Sequence, residues 1–355
     1  MSEHVQWSFQ PLSDSNSSWA RWDDFNARTF NTPLLNSCFL APALKHFGTG
    51  KEFMAFGTDA SGLAAACLLE EGGPLLAQTF AAAQLPLCAW LQRPDLRFGD
   101  LAEPLTAQLS RSTLLTSFFS LDPRLLSIPT ADPCVQSLVH ITTGAIQFPA
   151  SFDQYLQTRS KKAVANVERR IRKAAGEFGK PSLKIVASQA EVGCAIDAYA
   201  DLESSSWKAL GGTALSRGDA QTSFYCQVME AFYERKIGRI YQLYFGDRLA
   251  AMELAVLHGS VAYMLKTSFD SDLRACSPGI LLKWYLIQSL FEESPSLRRL
   301  EHYGPLNESQ APWITESREM RHANVYRHPL FASLHSISRR WRKPVPPHSP
   351  PTETS

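Results

Sequence analysis

The clearest strand pattern in the chain is a run of three apolar segments that short polar turns separate. The segments are Ile237–Phe245, Arg248–His258 and Val261–Phe269, and the turns are Gly246–Asp247 and Gly259–Ser260. Two-residue turns that contain glycine join antiparallel strands, because glycine adopts the backbone angles that such turns need. The pattern therefore predicts an antiparallel meander.

Apolar residues recur at helical spacing on both sides of this meander. Before it, the spacing predicts helices over Phe152–Gly179 and Asp219–Lys236, and Asp219 is a suitable N-cap for the second. After it, a strongly apolar segment predicts a helix over Gly279–Phe291.

Three further segments complete the order of elements in this part of the chain. A strand is predicted at Ser182–Ser188, a helix from Glu191 to about Trp207, and a last strand at Leu297–Gly304. Helices and antiparallel strands therefore follow one another in mixed order. This order predicts a mixed α/β fold rather than a parallel dinucleotide-binding array.

The N-terminal part shows fewer clear elements. Strands are predicted at Glu52–Asp59 and Gly62–Glu70, with a polar turn between them. The uncharged stretch Pro74–Gln92 is interrupted by Pro86 and falls short of the roughly 20 apolar residues that a membrane span needs. We therefore expect it to be a buried core segment.

The chain length predicts two domains. A stretch rich in proline and polar residues at 126–136 indicates a junction there or slightly later. We divide the chain into residues 1–145, residues 146–332 and a basic, proline-rich tail at 333–355 that we expect to be disordered.

Composition limits the ligands and sites that can be expected. The chain has 355 residues, of which 45% are hydrophobic and 19% charged, and its net charge of +1 argues neither for nor against nucleic acid. Seven cysteines occur without a CxxC pair or a Cys/His cluster, which predicts reduced thiols in a cytoplasmic protein and no metal site. The N-terminal residues lack the basic and apolar segments of a signal peptide.

One predicted helix is strongly basic on its polar face. The face carries one acidic residue, Glu168, against seven basic ones: Arg159, Lys161, Lys162, Arg169, Arg170, Arg172 and Lys173. Three interpretations remain open, namely a solvated face, a contact with ligand phosphates, and a peripheral contact with an anionic membrane or polymer. The tail, with Trp341 among basic residues, has the same membrane alternative. The chain has no aromatic-rich RNA-binding signature, so nucleic acid is not expected.

The segment "DSDLRACSPG" connects the third meander strand to the helix at Gly279–Phe291. Pro278 is suited to the first helical position, and the free N–H groups of a helix start bind anions. Gly279 lets a ligand approach the backbone, and Arg274 adds a positive charge. An ordinary strand-to-helix connection is the alternative, and both interpretations remain open.

With these elements in place, the chain from Phe152 to about Tyr326 resembles the GNAT-type acyltransferases. The resemblance is to the bacterial CelD/BcsL cellulose-biosynthesis group, which is related to the FemAB peptidyltransferases. In GNAT enzymes a loop of the form Q/R-x-x-G-x-G/A holds the CoA pyrophosphate, and Arg274, Ser277 and Gly279 fall at its first, fourth and sixth positions. Ser277 replaces the first glycine. The other similar segments are "RSKKAVANVERRIRK", "ESSSWKALGGTAL", "RIYQLYFGDRLAAMELAV", "KTSFD" and "EHYGP".

The resemblance implies a fold and a co-substrate. The fold would be a mixed, mainly antiparallel GNAT-like sheet flanked by helices, with residues 1–145 as a degenerate second GNAT-like domain in tandem. Acetyl-CoA or a longer acyl-CoA would be the co-substrate, without a metal. Its binding residues would be Ser268, Arg274, Ser277, Gly279 and Ile280.

Acyl transfer needs a base, an oxyanion donor and an acid for the leaving thiolate. Glu253 is a candidate base, because apolar neighbours tend to raise a carboxyl pKa; a solvated sheet face is its alternative. Lys266 is a candidate for the oxyanion or an acidic acceptor, against a salt bridge to Glu253 or to a helix. His302 and Tyr303, at a strand end, are a candidate base and acid, or else merely exposed.

Other residues are candidates for the acceptor site. Trp207 and Lys208 would line a pocket, unless Trp207 is core, and Asp270 would bind substrate or cap the loop. Cys276 has no local histidine to activate it, so we expect a packing role.

The leading hypothesis is an acyl-CoA-dependent N- or O-acyltransferase of the bacterial cytoplasm, with membrane association through the basic helix or the tail left open. Its acceptor, by family analogy, would be a sugar or amino-sugar precursor of a surface polysaccharide. One alternative is FemAB-like aminoacyl transfer from tRNA, although no long helical-arm insertion is found. The other is an inactive GNAT-like scaffold, which the serine at position 277 keeps open.

Overall fold

The structure is a computed structural model that describes residues 5–12, 15–73, 75–129, 132–204 and 218–332. The predicted tail and the end of the helix predicted to reach Trp207 lie outside these ranges.

Strands and helices alternate irregularly within the described ranges. The strands are β1 Gln6–Pro11, β2 Glu52–Asp59, β3 Gly62–Gly73, β4 Leu76–Thr79, β5 Trp90–Gln92, β6 Leu115–Leu121, β7 Val135–Gln147, β8 Pro181–Ile185, β9 Gly238–Phe245, β10 Arg248–His258, β11 Val261–Phe269, β12 Arg299–His302 and β13 Glu316–Tyr326. The α-helices are α1 Ser15–Arg28, α2 Ser37–Phe47, α3 Phe98–Gln108, α4 Phe152–Gln157, α5 Lys161–Glu177, α6 Val192–Ser204, α7 Ala220–Glu234 and α8 Pro278–Glu293. No helix of the described residues is both long and apolar enough to span a membrane.

One sheet runs through both halves of the molecule. Its strand order is β1-β2-β3-β4-β6-β13-β7-β12-β11-β10-β9-β8, with β5 on β3, and only the β4/β6 and β11/β12 pairs are parallel. The last strand, β13, inserts between β6 and β7 of the N-terminal half, while β7 pairs with β12 of the C-terminal half. The two halves therefore exchange strands.

Helices cover both faces of this sheet. On one face α1, α2, α6 and α7 share a single core, in which the Phe39 ring of α2 lies 5.4 Å from the Phe224 ring of α7. On the other face α3 covers the N-terminal half around Trp90, and α4, α5 and α8 cover the C-terminal half around Leu286. Packing between α2 and α7 therefore joins the halves.

The predicted mixed α/β, GNAT-like fold is confirmed, and the meander appears with almost the predicted bounds. Asp219 caps α7 by accepting a hydrogen bond from the Thr222 N–H. The helix predicted over Phe152–Gly179 is two helices, because the Ser160 hydroxyl caps a second helix at the Ala163 N–H. The strand β7 spans the predicted boundary at residue 145.

Candidate active site

The parallel strands β11 and β12 pair only over a short distance and then diverge. Pairing joins Val261–Met264 to Arg299–His302, after which β12 ends and β11 continues alone on that side to Phe269. A cavity of about 630 Å³ lies beside the unpaired edge of β11 and is bounded by α8. The backbone groups of this β11 edge can therefore bind a ligand in the cavity.

One end of this cavity is the start of α8. A 3-10 turn at Ser271–Cys276 leads to Ser277, whose backbone is left-handed (φ 52°, ψ 60°), and Pro278 then opens the helix. Arg274, Ser277, Gly279 and Ile280 all line the cavity. The predicted loop residues therefore lie together.

Gly279 leaves room for a ligand at this helix start. A Cβ at this position would meet only a Phe269 ring carbon, at 3.6 Å. The Ile280 N–H donates to the Ser277 carbonyl, whereas the Gly279 N–H has no acceptor among the described residues. Together with the helix dipole, this free donor favours an anion.

Glu253, on β10, also lines the cavity. It is buried, accepts a hydrogen bond from the Thr267 hydroxyl of β11 and faces α8. Its neighbours Met252 and Leu254 pack in the opposite core. Glu253 is therefore not on a solvated face, and its carboxylate borders the cavity.

His302, at the end of β12, borders the same region. Burial holds the pKa of its imidazole well below the usual range, and the nearby Lys283 ammonium lowers it further. Its Nε2 atom is buried and has no hydrogen-bond partner in the described part of the chain. His302 is thus neutral and has a free ring nitrogen.

Lys283 of α8 also borders the cavity, and the sequence reasoning missed it. Burial lowers the pKa of its amine to about 8, while the Glu253 carboxylate opposes that shift. One sequence signal was available. Lys283 is the only charged residue from Pro278 to Phe291, within a strongly apolar helix.

The comparisons with known proteins agree with this geometry. Residues 161–307 match the family described as acetyltransferase (GNAT) domain. This part of the chain is similar to a GNAT acetyltransferase domain. The chain therefore carries an acyltransferase domain, and no curated protein matches the sequence.

Solved structures show the same fold at low sequence identity. The C-terminal DUF2156 domain of a putative lysylphosphatidylglycerol synthetase from Agrobacterium fabrum is 14% identical over 91% of this chain and 95% of its own, with a TM-score of 0.56. FemX is 10% identical over 89% and 98%, with a TM-score of 0.57. A conserved protein of unknown function from Bacteroides thetaiotaomicron is 8% identical over 90% and 100%, with a TM-score of 0.55.

Lys266 also lines the cavity of the GNAT domain, but its side chain lies on the other face of the sheet from Glu253. Its Nζ is 3.2 Å from the carboxylate of Glu203 on α6 and 5.8 Å from the ring centre of Tyr225 on α7. Of the two salt bridges that the sequence left open, the structure has the one to a helix.

Tyr303 connects the first cavity to the N-terminal half of the chain. Its ring lines the cavity, and its hydroxyl donates to Asp122 Oδ2 at 3.1 Å, at the end of β6. Burial, followed by the charge of Asp122, raises the pKa of Tyr303 well above its usual value. The hydroxyl therefore stays protonated and points to the N-terminal half.

Two candidates lie beside the cavity rather than on its wall. Ser268 is 2% exposed, and its hydroxyl lies against the Tyr199 hydroxyl of α6, so only its backbone can face the cavity. The Asp270 carboxylate accepts from the Asp272 N–H and pairs with Arg248 at 2.5 Å. Asp270 is therefore engaged in shaping the loop.

The remaining candidates are Trp207, Lys208 and Cys276. Trp207 and Lys208 lie outside the described residues. Cys276 is fully buried, and burial and the Glu177 carboxylate raise the pKa of its thiol. A thiol in this state packs rather than attacks.

A second cavity, of about 280 Å³, opens on the face covered by α2 and α7. It shares part of its wall with the first cavity, namely Met264, Leu265, Tyr303, Gly304 and Pro305. The N-terminal half supplies much of the rest, including Phe39, Gln84, Pro86, Ser120 and His140. The two cavities adjoin where β11 and β12 diverge.

Proposed function

We propose that this chain transfers an acyl group from acyl-CoA, and acetyl-CoA first of all, to an amine or hydroxyl. One observation carries the proposal. A single cavity is lined both by a helix start, at Arg274, Ser277 and Gly279, and by the buried carboxylate of Glu253. Acyl transfer from CoA needs both an anion-binding end and a basic end.

Each end has a role in this proposal. The Gly279 N–H, the helix dipole and Arg274 bind the pyrophosphate, and Ile280 packs beside it. The pantetheine arm lies along the unpaired edge of β11, whose backbone offers hydrogen bonds as a strand would. Glu253 takes the proton of the acceptor as base, and the neutral imidazole of His302, which lines the same cavity, assists it.

For the acceptor we propose a sugar or amino-sugar precursor of a bacterial surface polysaccharide. This part rests on the resemblance to the CelD/BcsL group. The second cavity supports it, because its wall combines the aromatic rings of Tyr225 and Tyr303 with the neutral polar groups of Gln84, Ser120 and His140. Rings and uncharged hydrogen-bonding groups suit a sugar.

Thermal unfolding with acetyl-CoA, desulfo-CoA and ATP tests the co-substrate. A ligand at about 100 times its Kd stabilises the folded chain by roughly 2.7 kcal/mol, which raises the Tm by a few degrees. We expect this shift with both CoA compounds and not with ATP. No shift with acetyl-CoA would contradict the proposal.

A pair of matched variants locates the site. Gly279→Glu places a carboxylate against the pyrophosphate, so we expect it to abolish the CoA shift. Gly193→Glu is the control, because Gly193 is likewise the second residue of a helix, α6, and a Cβ there meets nothing within 4 Å. Equal CoA shifts in the two folded variants would remove the loop from the site.

A second candidate is aminoacyl transfer from tRNA. The observation that favours it is the basic face of α5, whose Lys162 and Arg170 line a groove that meets α8 at Ile280. FemX and the lysylphosphatidylglycerol synthetase domain share the fold. Stabilisation by a tRNA acceptor-stem hairpin, with none by acetyl-CoA, would favour this candidate.

A third candidate, an inactive scaffold, is distinguished from both enzymatic candidates by an activity assay. If acetyl-CoA binds and the variants Glu253→Gln, Lys266→Ala and His302→Ala all consume it at the wild-type rate with each acceptor tested, catalysis at this site is excluded. General-base catalysis contributes about 10²–10⁴-fold, so a catalytic Glu253 would be evident in that assay.

A further inference from the structure

Lys283 is placed where a lysine is costly. Helix α8 has exposed positions at Glu292 and Glu293, yet its one lysine lines the cavity near Glu253 of the sheet. The Nζ atom is buried, and no described residue accepts a hydrogen bond from it. An ammonium group buried without hydrogen bonds is unfavourable, so a ligand group would relieve it.

Two titratable groups of the sheet lie near this amine, Glu253 of β10 and His302 of β12. Both line the same cavity as Lys283. His302 Nε2 is the second buried nitrogen there without a hydrogen-bond partner among the described residues. The cavity wall thus presents two such nitrogen atoms beside one carboxylate.

The geometry of α8 and β11 shows how Lys283 and His302 are placed relative to the start of α8. Gly279 and Lys283 are four residues apart and so lie on one face of α8. From Phe269, beside the loop, β11 runs back to Met264, a distance of about 17 Å for an extended strand. An extended pantetheine arm bound at Gly279 and laid along this edge brings its sulfur toward His302 and Lys283.

Resting on acyl-CoA transfer as proposed above, we propose that Lys283 is a catalytic residue whose ammonium binds the thioester sulfur and protonates it as it leaves. The acceptor nitrogen or oxygen forms a bond to the acyl carbon. The carbon–sulfur bond breaks, and its electron pair stays on sulfur, which takes a proton from Lys283. The acceptor proton passes to Glu253 and then to Lys283, which restores the ammonium.

The acidity of the amine suits this role. The pKa of Lys283, at about 8, lies near that of an alkyl thiol, about 8.5. Proton transfer between groups of similar pKa needs little driving force. The protonated hydroxyl of Tyr303 is engaged with Asp122, so the amine is the acid that faces the cavity.

The test titrates the thiol of CoA bound to the full chain. Thiolate absorbs in the ultraviolet, and complexes with desulfo-CoA supply the blank. In the wild type we expect the pKa of the bound thiol to fall by about one unit or more, because an ammonium nearby favours the thiolate. One unit is a tenfold change in the acidity constant.

Variants of Lys283 distinguish the effect of its charge on the thiol pKa from the effect of its packing. Lys283→Met should lose the shift, whereas Lys283→Arg should keep it, because guanidinium stays charged. Methionine fills the space of the lysine stem without its charge, and Lys283→Gln gives the same measurement if Lys283→Met does not fold. Lys45→Met, on the surface of α2, is the control and should titrate like the wild type.

The outcomes are distinct. An unchanged thiol pKa in Lys283→Met with CoA bound overturns the role of Lys283 and leaves the proposed function standing. Failure of CoA to bind the wild type overturns both. A shift present in the wild type and Lys283→Arg and absent in Lys283→Met supports the role.

Discussion

Ser277 shows how one side chain sets the start of α8. Its left-handed backbone is the conformation in which glycine is favoured, and it occupies the first glycine position of the pyrophosphate-loop pattern. A residue with a Cβ pays roughly 1–2 kcal/mol for this conformation. The loop therefore keeps the shape that glycine would give it.

We predict that Ser277→Gly stabilises the protein. Relief of the left-handed strain exceeds the entropic cost of glycine, about 0.5–1 kcal/mol, so the free energy of unfolding should rise by roughly 0.5–1 kcal/mol. Urea unfolding measures this change. Ser277→Val, which adds a branched Cβ, is the opposing variant, and a Val variant as stable as the Gly variant would contradict the argument.

The site was partly predictable at this scale. Glu253, Arg274, Gly279 and His302 could be selected because a strand, a loop and a strand end are visible in the pattern. Whether two side chains share a face was not visible, because that depends on the register between strands. Pairing of Glu253 with Thr267 puts Lys266 on the opposite face. Lys283 was missed because helical spacing does not mark its buried side in an apolar helix.

Among the elements, α5 has a strongly basic polar face, part of which lies beside the start of α8. Ser160, Lys162, Asn166 and Arg170 line a groove of about 500 Å³ that meets the start of α8 at Ile280. If CoA binds as proposed, this groove would lie next to the pyrophosphate, and Lys162 and Arg170 would be available to the 3′-phosphate.

We predict that Lys162→Ser with Arg170→Ser weakens binding of CoA a few-fold, since exposed ion pairs contribute about 0.5–1 kcal/mol. Binding of 3′-dephospho-CoA should not change, because it lacks the group that these residues would contact. Calorimetric titration of both ligands makes the comparison. Arg169→Ser with Arg172→Ser, on the same helix but not among the groove residues, is the control. Equal losses for both ligands would contradict the assignment.

The strand β13 contains a histidine that should make stability depend on pH. His322 stacks on His140 with ring centres 4.0 Å apart, and its Nδ1 accepts from the Ser120 N–H at 3.0 Å. Burial, then the charge of His140, lowers the pKa of His322 to about 4. Between pH 4 and about 6.5 the unfolded chain therefore binds more protons than the folded one.

We predict that the free energy of unfolding falls as pH drops from 6.5 toward 4, and that His322→Asn reduces this fall. Asparagine offers an oxygen to the Ser120 N–H but takes no proton. Urea midpoints at pH 7 and pH 5 give the result. His328→Asn, at an exposed position, should keep the wild-type dependence. The same slope in His322→Asn as in the wild type would refute the prediction.

Elements with strong local signals were predictable, and elements that depend on distant partners were not. The meander carries its own turns, so its bounds follow from the sequence. By contrast, β13 has the largely polar sequence "ESREMRHANVY", which carries no clear strand pattern, and its partners β6 and β7 come from elsewhere in the chain. The break between α4 and α5 depends on a single cap, Ser160, inside a continuous helical pattern.

At the scale of the whole molecule, a buried ion-pair network ties the halves together behind the cavity. The Arg318 guanidinium of β13 donates to both oxygens of Asp122, at 2.9 and 2.8 Å, and to Glu301 at 2.8 Å. Asp122 follows β6, and Glu301 lies in β12 next to His302. The network connects the N-terminal half to the strand end that carries the site.

We predict that Arg318→Ala costs about 3–5 kcal/mol of stability, because it leaves the buried Asp122 carboxylate without its arginine. Glu301 keeps Arg124 and Arg299 as partners. Arg321→Ala, on the same strand, should cost less, about 1 kcal/mol, since it loses only an exposed ion pair with Glu319 and a hydrogen bond to the Ser137 hydroxyl. Urea unfolding compares the two. Similar losses in both variants would show that the network does not hold the halves together.

The exchange of β7 and β13 also fixes the order in which the chain can fold as it is synthesised. When β6 and β7 leave the ribosome, the strand that belongs between them lies almost 170 residues further on, at Glu316–Tyr326. Neither edge has this partner until β13 has been synthesised, and unpaired edges invite aggregation. A fragment of residues 1–145 should therefore aggregate when expressed alone and become soluble when residues 146–332 are expressed with it. Proteins whose halves exchange strands in this way cannot fold one domain at a time during synthesis, so they would depend on chaperones until the last shared strand is made.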